Sequence, residues 1–96
     1  MEINTTALLK EYNLELNLEE KIEYDDYEGI IRAFMIRRTL LAHLEFLTEK
    51  EYKMILKYEK IFDDVFDKLL AKYPQVKEEI DDGLIKLMRY QLKKVA

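Results

Sequence analysis

The single histidine of this chain lies in the segment RRTLLAHLEF, residues 37–46, five positions after Arg38. An imidazole takes up or releases a proton near neutral pH, and a guanidinium stabilises the negative charge that develops on a reacting phosphate. Arg38 and His43 are therefore a candidate catalytic pair. Residues five apart on a regular helix are separated by about 140°, so convergence of this pair requires a local distortion or a second subunit.

The segment RRTLLAHLEF resembles the Arg-x4-6-His signature of HEPN-domain ribonucleases. The resemblance implies an all-helical RNA-cleaving enzyme, or an RNA-associated toxin component, with Arg38 and His43 as the catalytic pair at a dimer interface. It covers ten residues, and Thr39 and Glu45 stand where the family usually has asparagine and tyrosine. An RNA-cleaving enzyme or toxin component of this type is therefore an alternative function for the chain. The favoured interpretation is a non-catalytic chain whose His43 faces solvent on a narrow polar strip.

Acidic residues offer a second candidate chemistry. The string Glu19-Glu20-Lys21-Ile22-Glu23 resembles the EExxE motif of helical nucleoside-triphosphate pyrophosphohydrolases, in which carboxylates gather magnesium. A Glu-x-x-Asp partner occurs only at Glu78 or Glu79, much farther along the chain than in that family. With one histidine and no cysteine, paired Glu-x-x-His motifs and thiolate sites are both excluded. The sequence predicts no metal site and no cofactor.

The composition predicts one helical domain. The chain has 96 residues, of which 49% are hydrophobic and 38% charged, with two glycines and one proline. Such a chain is too short for two separate cores and has few residues that interrupt helices. No apolar run approaches the roughly 18–20 residues that cross a bilayer, so we expect a soluble cytoplasmic protein. Abundant lysine and glutamate with few amides also suggest a possible thermophile.

Capping signals place the two helices of the C-terminal half. Thr48 and Glu51 form a capping box, which predicts a helix from residue 48 to about 72. Pro74 suits the first turn of a last helix near 74–95, because its missing N–H would have no partner there. Gly83 is expected to kink or split that helix. Its buried stripe is predicted at Val76, Ile80, Leu84, Leu87 and Gln91 or Leu92.

The segment from residue 26 to 47 predicts a helix of unusually broad apolar surface, preceded by an N-cap at Asp25-Asp26. A helix that is apolar on most sides is either central in a bundle or shared with a partner. We therefore predict an interface on this helix. Its residues are Ile30, Ile31, Phe34, Met35, Arg37, Arg38 and Leu41.

The first 24 residues predict a short helix and an extended acidic arm. Thr5 or Thr6 is a candidate cap, and Asn13 a candidate stop. Leu14, Leu16 and Leu18 then alternate with polar residues, which is the period of an extended chain. The overall prediction is an all-α, compact three- to four-helix bundle, with residues 1–24 as helix plus arm and residues 25–96 as the helical body.

Charge is divided along the chain. Residues 1–28 contain nine acids and two lysines, whereas 86–96 contain four bases and no acid. If the helix at 26–47 and the last helix adjoin, Arg32, Arg37 and Arg38 would join that basic end in one patch. This is the basis of a further alternative, a nucleic-acid-binding helical module, although the net charge of −4 opposes tight phosphate binding.

The leading prediction is a small non-catalytic protein–protein interaction or regulatory protein that binds a protein partner and self-associates as a homodimer. The broad apolar helix 26–47 supports it, because two other long helices cannot cover its whole circumference. The competing account is that the N-terminal arm folds back and covers this helix within one chain.

Overall fold

The computed structural model describes residues 4–95, and within that range the chain forms helices and no strand. The all-α prediction is confirmed. There are six α-helices, joined in part by 3₁₀ turns at Leu44–Phe46 and Pro74–Val76. The α-helices are α1 (Thr5–Glu15), α2 (Leu18–Glu23), α3 (Tyr27–Ala42), α4 (Glu49–Asp63), α5 (Phe66–Lys72) and α6 (Lys77–Val95).

The N-terminal segment is helical where an extended arm was predicted. Helix α1 is capped by Asn4, which accepts the Ala7 N–H at 3.0 Å, and it continues beyond Asn13 to Glu15. Helix α2 follows and buries Leu18. The alternating leucines predicted an extended chain, and this prediction was wrong. Leu14 is 75% exposed and does not share a face with the buried Leu18. The residues of α2 follow the period of a helix and not that of an extended chain.

A buried lysine joins α1, α2 and α3. The Lys21 ammonium donates to the Glu15 carboxylate at 2.5 Å, to the Glu15 carbonyl at 2.9 Å and to the Gly29 carbonyl at 3.3 Å. Asp26 caps α3 by accepting the Gly29 N–H at 3.0 Å, as the acidic pair before this helix predicted. Lys21 thus links these three helices through the polar contacts that a buried amine requires.

Helix α3 is the central helix, packed against α1, α2 and α6. Its Phe34 ring also meets Phe62 of α4 at 5.0 Å between centroids. Tyr12 of α1 lies against the same Phe62 ring, and burial raises the pKa of its phenol. The N-terminal segment, folded as helices α1 and α2, therefore packs against α3 within the same chain, as the competing account expected of the arm.

Helix α4 begins where the capping box predicted. Thr48 Oγ1 accepts the Glu51 N–H at 3.1 Å, and the Glu51 carboxylate accepts the Thr48 N–H at 3.0 Å. This backbone hydrogen bond is the main cause that lowers the pKa of Glu51. The helix is not continuous to residue 72, since α4 ends at Asp63 and α5 begins at Phe66. The break accompanies contacts of α5 with α2, which include Lys68 to Glu19 at 3.0 Å.

Candidate protein-interaction site

Helix α6 is held in place by a buried arginine of α3. The Arg37 side chain is 2% exposed and forms a two-pronged ion pair with Glu59 of α4, at 2.7 and 3.1 Å. It also donates to the Glu79 carbonyl of α6 at 3.1 Å and lies 5.1 Å from the centre of the Phe62 ring. One guanidinium therefore connects three helices, and its charge is fully paired as burial demands.

Gly83 lets α6 approach this guanidinium. A Cβ built on Gly83 would lie 2.5–2.7 Å from three guanidinium atoms of Arg37. Of the two alternatives for Gly83, a kink or a split, the split does not occur, because α6 is one helix from Lys77 to Val95. The glycine allows a close contact between α3 and α6. The residue pattern of one helix alone does not reveal such a contact.

The second half of α6 packs against the start of α4. The Tyr52 and Tyr90 rings have centroids 5.2 Å apart, and Lys94 donates to the Glu49 carboxylate at 2.9 Å. The Lys94 ammonium also lies 4.3 Å from the centre of the Tyr52 ring. The hydrogen bond from Lys94 lowers the pKa of Glu49 and the same bond raises the pKa of Lys94. Both ends of α6 are thus anchored to the rest of the fold.

Another side of α6 carries a row of large apolar side chains that the described chain leaves exposed. Their exposed fractions rise along the helix from 38% at Leu84 to 82% at Val95. At 100° per residue they occupy a stripe about 100° wide, next to the buried side formed by Ile80, Gly83 and Leu87. We call this stripe the α6 face. Its members are Leu84, Ile85, Met88, Leu92 and Val95.

Sequence reasoning missed the α6 face. The buried stripe predicted for the last helix is confirmed at Val76, Ile80 and Leu87, but Leu84 and Leu92, assigned to that stripe, are 38% and 62% exposed. A signal was present, because Ile85, Met88, Leu92 and Val95 repeat at spacings of three and four beside the first stripe. The last helix thus carries two adjacent apolar stripes, and within residues 4–95 the fold buries one of them.

A band of charge borders the α6 face on one side. Glu78 and Asp82 lie in the first half of the helix and Arg89 and Lys93 in the second, all within about 60° of one another around the axis. Asp82 pairs with Lys86 at 2.9 Å, and the hydrogen bond from Lys86 lowers the pKa of Asp82. Across residues 4–95, no ion pair involves Glu78, Arg89 or Lys93.

The interface predicted on α3 is mostly covered within the chain. Ile30, Phe34, Arg37 and Leu41 are buried, and Ile31 is partly buried. Met35 and Arg38 are exposed, and Arg38 forms an ion pair with Glu79 of α6. The interface was predicted because the apolar surface of this helix was expected to lack cover. That reason does not hold at the four buried positions. Their partners are helices of the same chain.

The structure gives Arg38 and His43 separate partners. The Arg38 guanidinium is directed to Glu79. His43 ends α3, is partly buried rather than solvent-facing, and its Nδ1 lies 2.7 Å from the Thr39 carbonyl. Because a carbonyl only accepts, Nδ1 carries the proton. No hydrogen bond joins Arg38 to His43 in the part of the chain that the structure describes.

The arginines of the predicted nucleic-acid patch are engaged elsewhere. Arg37 is buried, Arg32 lies 3.6 Å from the Glu15 carboxylate, and Arg38 pairs with Glu79. Helices α3 and α6 do adjoin, as that hypothesis required. Each of the three arginines is paired with an acid, however, and Arg37 is buried, so they do not join the basic end in one exposed patch.

Comparisons of the chain with protein-family models, with curated proteins and with solved structures give no match. Within residues 4–95, no three histidine or acidic side chains lie close enough together to hold a metal ion. None of the helices that the structure describes has the length and apolar character to span a membrane.

Proposed function

We propose that this protein is a small non-catalytic interaction protein and that the α6 face binds another protein chain. The observation that carries the proposal is the exposure of five large apolar side chains on one side of a single anchored helix. Scattered exposed apolar residues are ordinary, but a contiguous row bordered by charges is typical of a protein-binding surface. Self-association as a homodimer is one form of this binding.

The rigidity of α6 supports the same function. A binding face on a helix whose position is set by buried contacts loses little freedom when a partner binds. Arg37 and the Tyr52–Tyr90 contact set that position from the other side of the helix. Met88, at the middle of the face and 54% exposed, is also suited to docking because its unbranched side chain adapts to a partner's shape.

A photo-reactive amino acid placed at Met88 tests the proposal in cells that naturally make the protein. Irradiation is expected to give a covalent adduct whose added mass is that of a protein. The matched control is the same probe at Ile61, an exposed apolar residue of α4 outside the α6 face. If the Met88 probe gives no protein adduct, or if both positions give the same adducts, the α6 face is not a docking surface.

A further inference from the structure

We propose that the partner on the α6 face is an acidic segment of another protein, whose carboxylates pair with Arg89 and Lys93. This inference rests on the proposed function and specifies the chemistry of the partner. Apolar side chains of the segment would cover the exposed row around Met88, and its carboxylates would lie along one edge of that row.

The charges of α6 are paired within the chain to different extents in its two halves. All four acids precede the exposed apolar row, and three of them form ion pairs. These pairs are Glu79 with Arg38, Asp81 with Lys77 and Asp82 with Lys86. The row itself, from Leu84 to Val95, is accompanied by four bases and no acid. Within residues 4–95, neither Arg89 nor Lys93 has an ion pair, so positive charge remains beside the row and a carboxylate complements it.

Arg89 and Lys93 lie between the α6 face and a groove. The groove has a volume of about 460 Å³ and runs between α6 and the end of α3, beside the buried Leu41 and Leu44. Among the described residues that line it, three are bases and one, Glu45, is an acid. A segment that crosses this edge therefore meets apolar surface on both sides of the two cations. An amphipathic acidic chain has the combination of groups that fits such a surface.

The acids in the first half of α6 argue against an extended anionic surface as the partner. Asp81 and Asp82 lie about 20° and 120° from Met88 around the helix axis, on the same side as the apolar row. A membrane or a nucleic acid laid along α6 would meet these carboxylates, whereas a protein segment can end where the row ends. The net charge of −4 opposes the binding of a polyphosphate as well.

Selection from a displayed library of random peptides tests the chemistry of the partner. Peptides of about 12 residues match the row, which is roughly 17 Å long, when they are helical. They are selected on the wild-type protein and depleted on Met88→Lys, so that ligands of the α6 face remain. The recovered peptides should contain large apolar residues and more acids than bases. Recovered peptides without an excess of acids overturn this inference alone, whereas failure to recover any peptide that depends on Met88 counts against the proposed function too.

The two cations are tested with a double variant that carries Arg89→Glu and Lys93→Glu. Fluorescence anisotropy with a recovered acidic peptide should show binding about tenfold weaker than to wild type, because two attractions become repulsions. The matched control carries Lys57→Glu and Lys60→Glu, which change the net charge equally at exposed bases of α4. This control should bind the peptide as wild type does. Circular dichroism verifies that both double variants remain folded.

A peptide in which every acid is replaced by lysine gives the converse measurement. It should bind the protein with Arg89→Glu and Lys93→Glu more tightly than it binds wild type. Equal binding of the acidic peptide to wild type and to this double variant overturns the inference, and so does a preference of the lysine peptide for wild type. In either case, binding that still depends on Met88 leaves the proposed function standing.

Other occupants of the α6 face are tested with separate probes. Wild type is titrated with an oligouridylate and with phosphatidylserine vesicles, and both should bind more weakly than the acidic peptides do. Tighter binding of either probe, lost in Met88→Lys, overturns the inference in favour of a nucleic acid or a membrane. A photo-adduct at Met88 with twice the chain's mass identifies a second copy as the occupant, which removes this inference and leaves the proposed function standing.

Discussion

Alanine at position 83 should destabilise the protein, although alanine forms helices better than glycine does. The new Cβ would lie 2.5–2.7 Å from the Arg37 guanidinium, closer than real Cβ atoms approach other heavy atoms. The guanidinium must then move, and its two bonds to Glu59 and the bond to the Glu79 carbonyl must lengthen or break.

Two opposing effects set the magnitude. Breaking a buried ion pair costs about 3–5 kcal/mol, whereas replacing glycine by alanine inside a helix gains about 1 kcal/mol. The net loss of unfolding free energy is therefore about 2–4 kcal/mol. At about 4–8 °C per kcal/mol for a chain of this size, Tm should fall by about 8 °C or more.

Thermal and urea denaturation, followed by circular dichroism, measure this change. The informative comparison uses a background in which Arg37→Leu and Glu59→Leu remove the ion pair. There, Gly83→Ala should stabilise the protein by about 1 kcal/mol, because only its helix propensity remains. Gln91→Ala, at an exposed position of the same helix, is the control for changes that touch no neighbour.

Gly83→Ala should lower the unfolding free energy of the wild-type chain and raise that of the chain with Arg37→Leu and Glu59→Leu. This change of sign indicates that the loss comes from the close contact with Arg37. If Gly83→Ala raises Tm in the wild-type chain, the approach of Arg37 to α6 is looser than described. If it costs the same in both backgrounds, the loss has a cause other than the guanidinium.

Three further predictions concern single sites. Thr48→Ala should cost about 0.5–2 kcal/mol through loss of the cap on α4, while Thr48→Ser retains it; equal stability of the two variants would contradict this. His43→Ala should cost about 0.5–1.5 kcal/mol, because the bond to the Thr39 carbonyl is lost, and a Tm equal to that of wild type would count against it. The third is a pH effect at Asp25, whose pKa is lowered first by the hydrogen bond from Tyr73 and then by Lys72. Its contribution is present above the unfolded pKa of about 3.9 and is lost as pH falls through the folded value, so the Tm difference between wild type and Asp25→Asn should shrink between about pH 5 and pH 2. A difference that grows in acid would refute the assignment.

The short-range features of this fold were accessible from sequence because each depends on residues within one helical turn. Thr48 and Glu51 cap α4 through bonds that span three residues, and Asp26 caps α3 in the same way. The all-α class follows from similar local patterns. No tertiary contact is needed to form them.

Arg37 shows where sequence reasoning stopped. An arginine beside apolar residues is typical of an interface, and nothing local identifies its partner. Glu59 lies 22 residues away, and the bonded carbonyl of Glu79 lies 42 residues away. Only the packing of α3, α4 and α6 brings these groups together.

The α6 face was decided in the same way. The spacing of its residues is visible in the sequence. The sequence of one helix does not distinguish which of two adjacent apolar stripes is buried, however, and only the fold determines this. Arg37 and Gly83 bring one side of α6 against α3 and α4, and the side with Met88 is left outside. Periodicity alone specifies that a side chain needs cover, and tertiary structure determines whether the same chain supplies it.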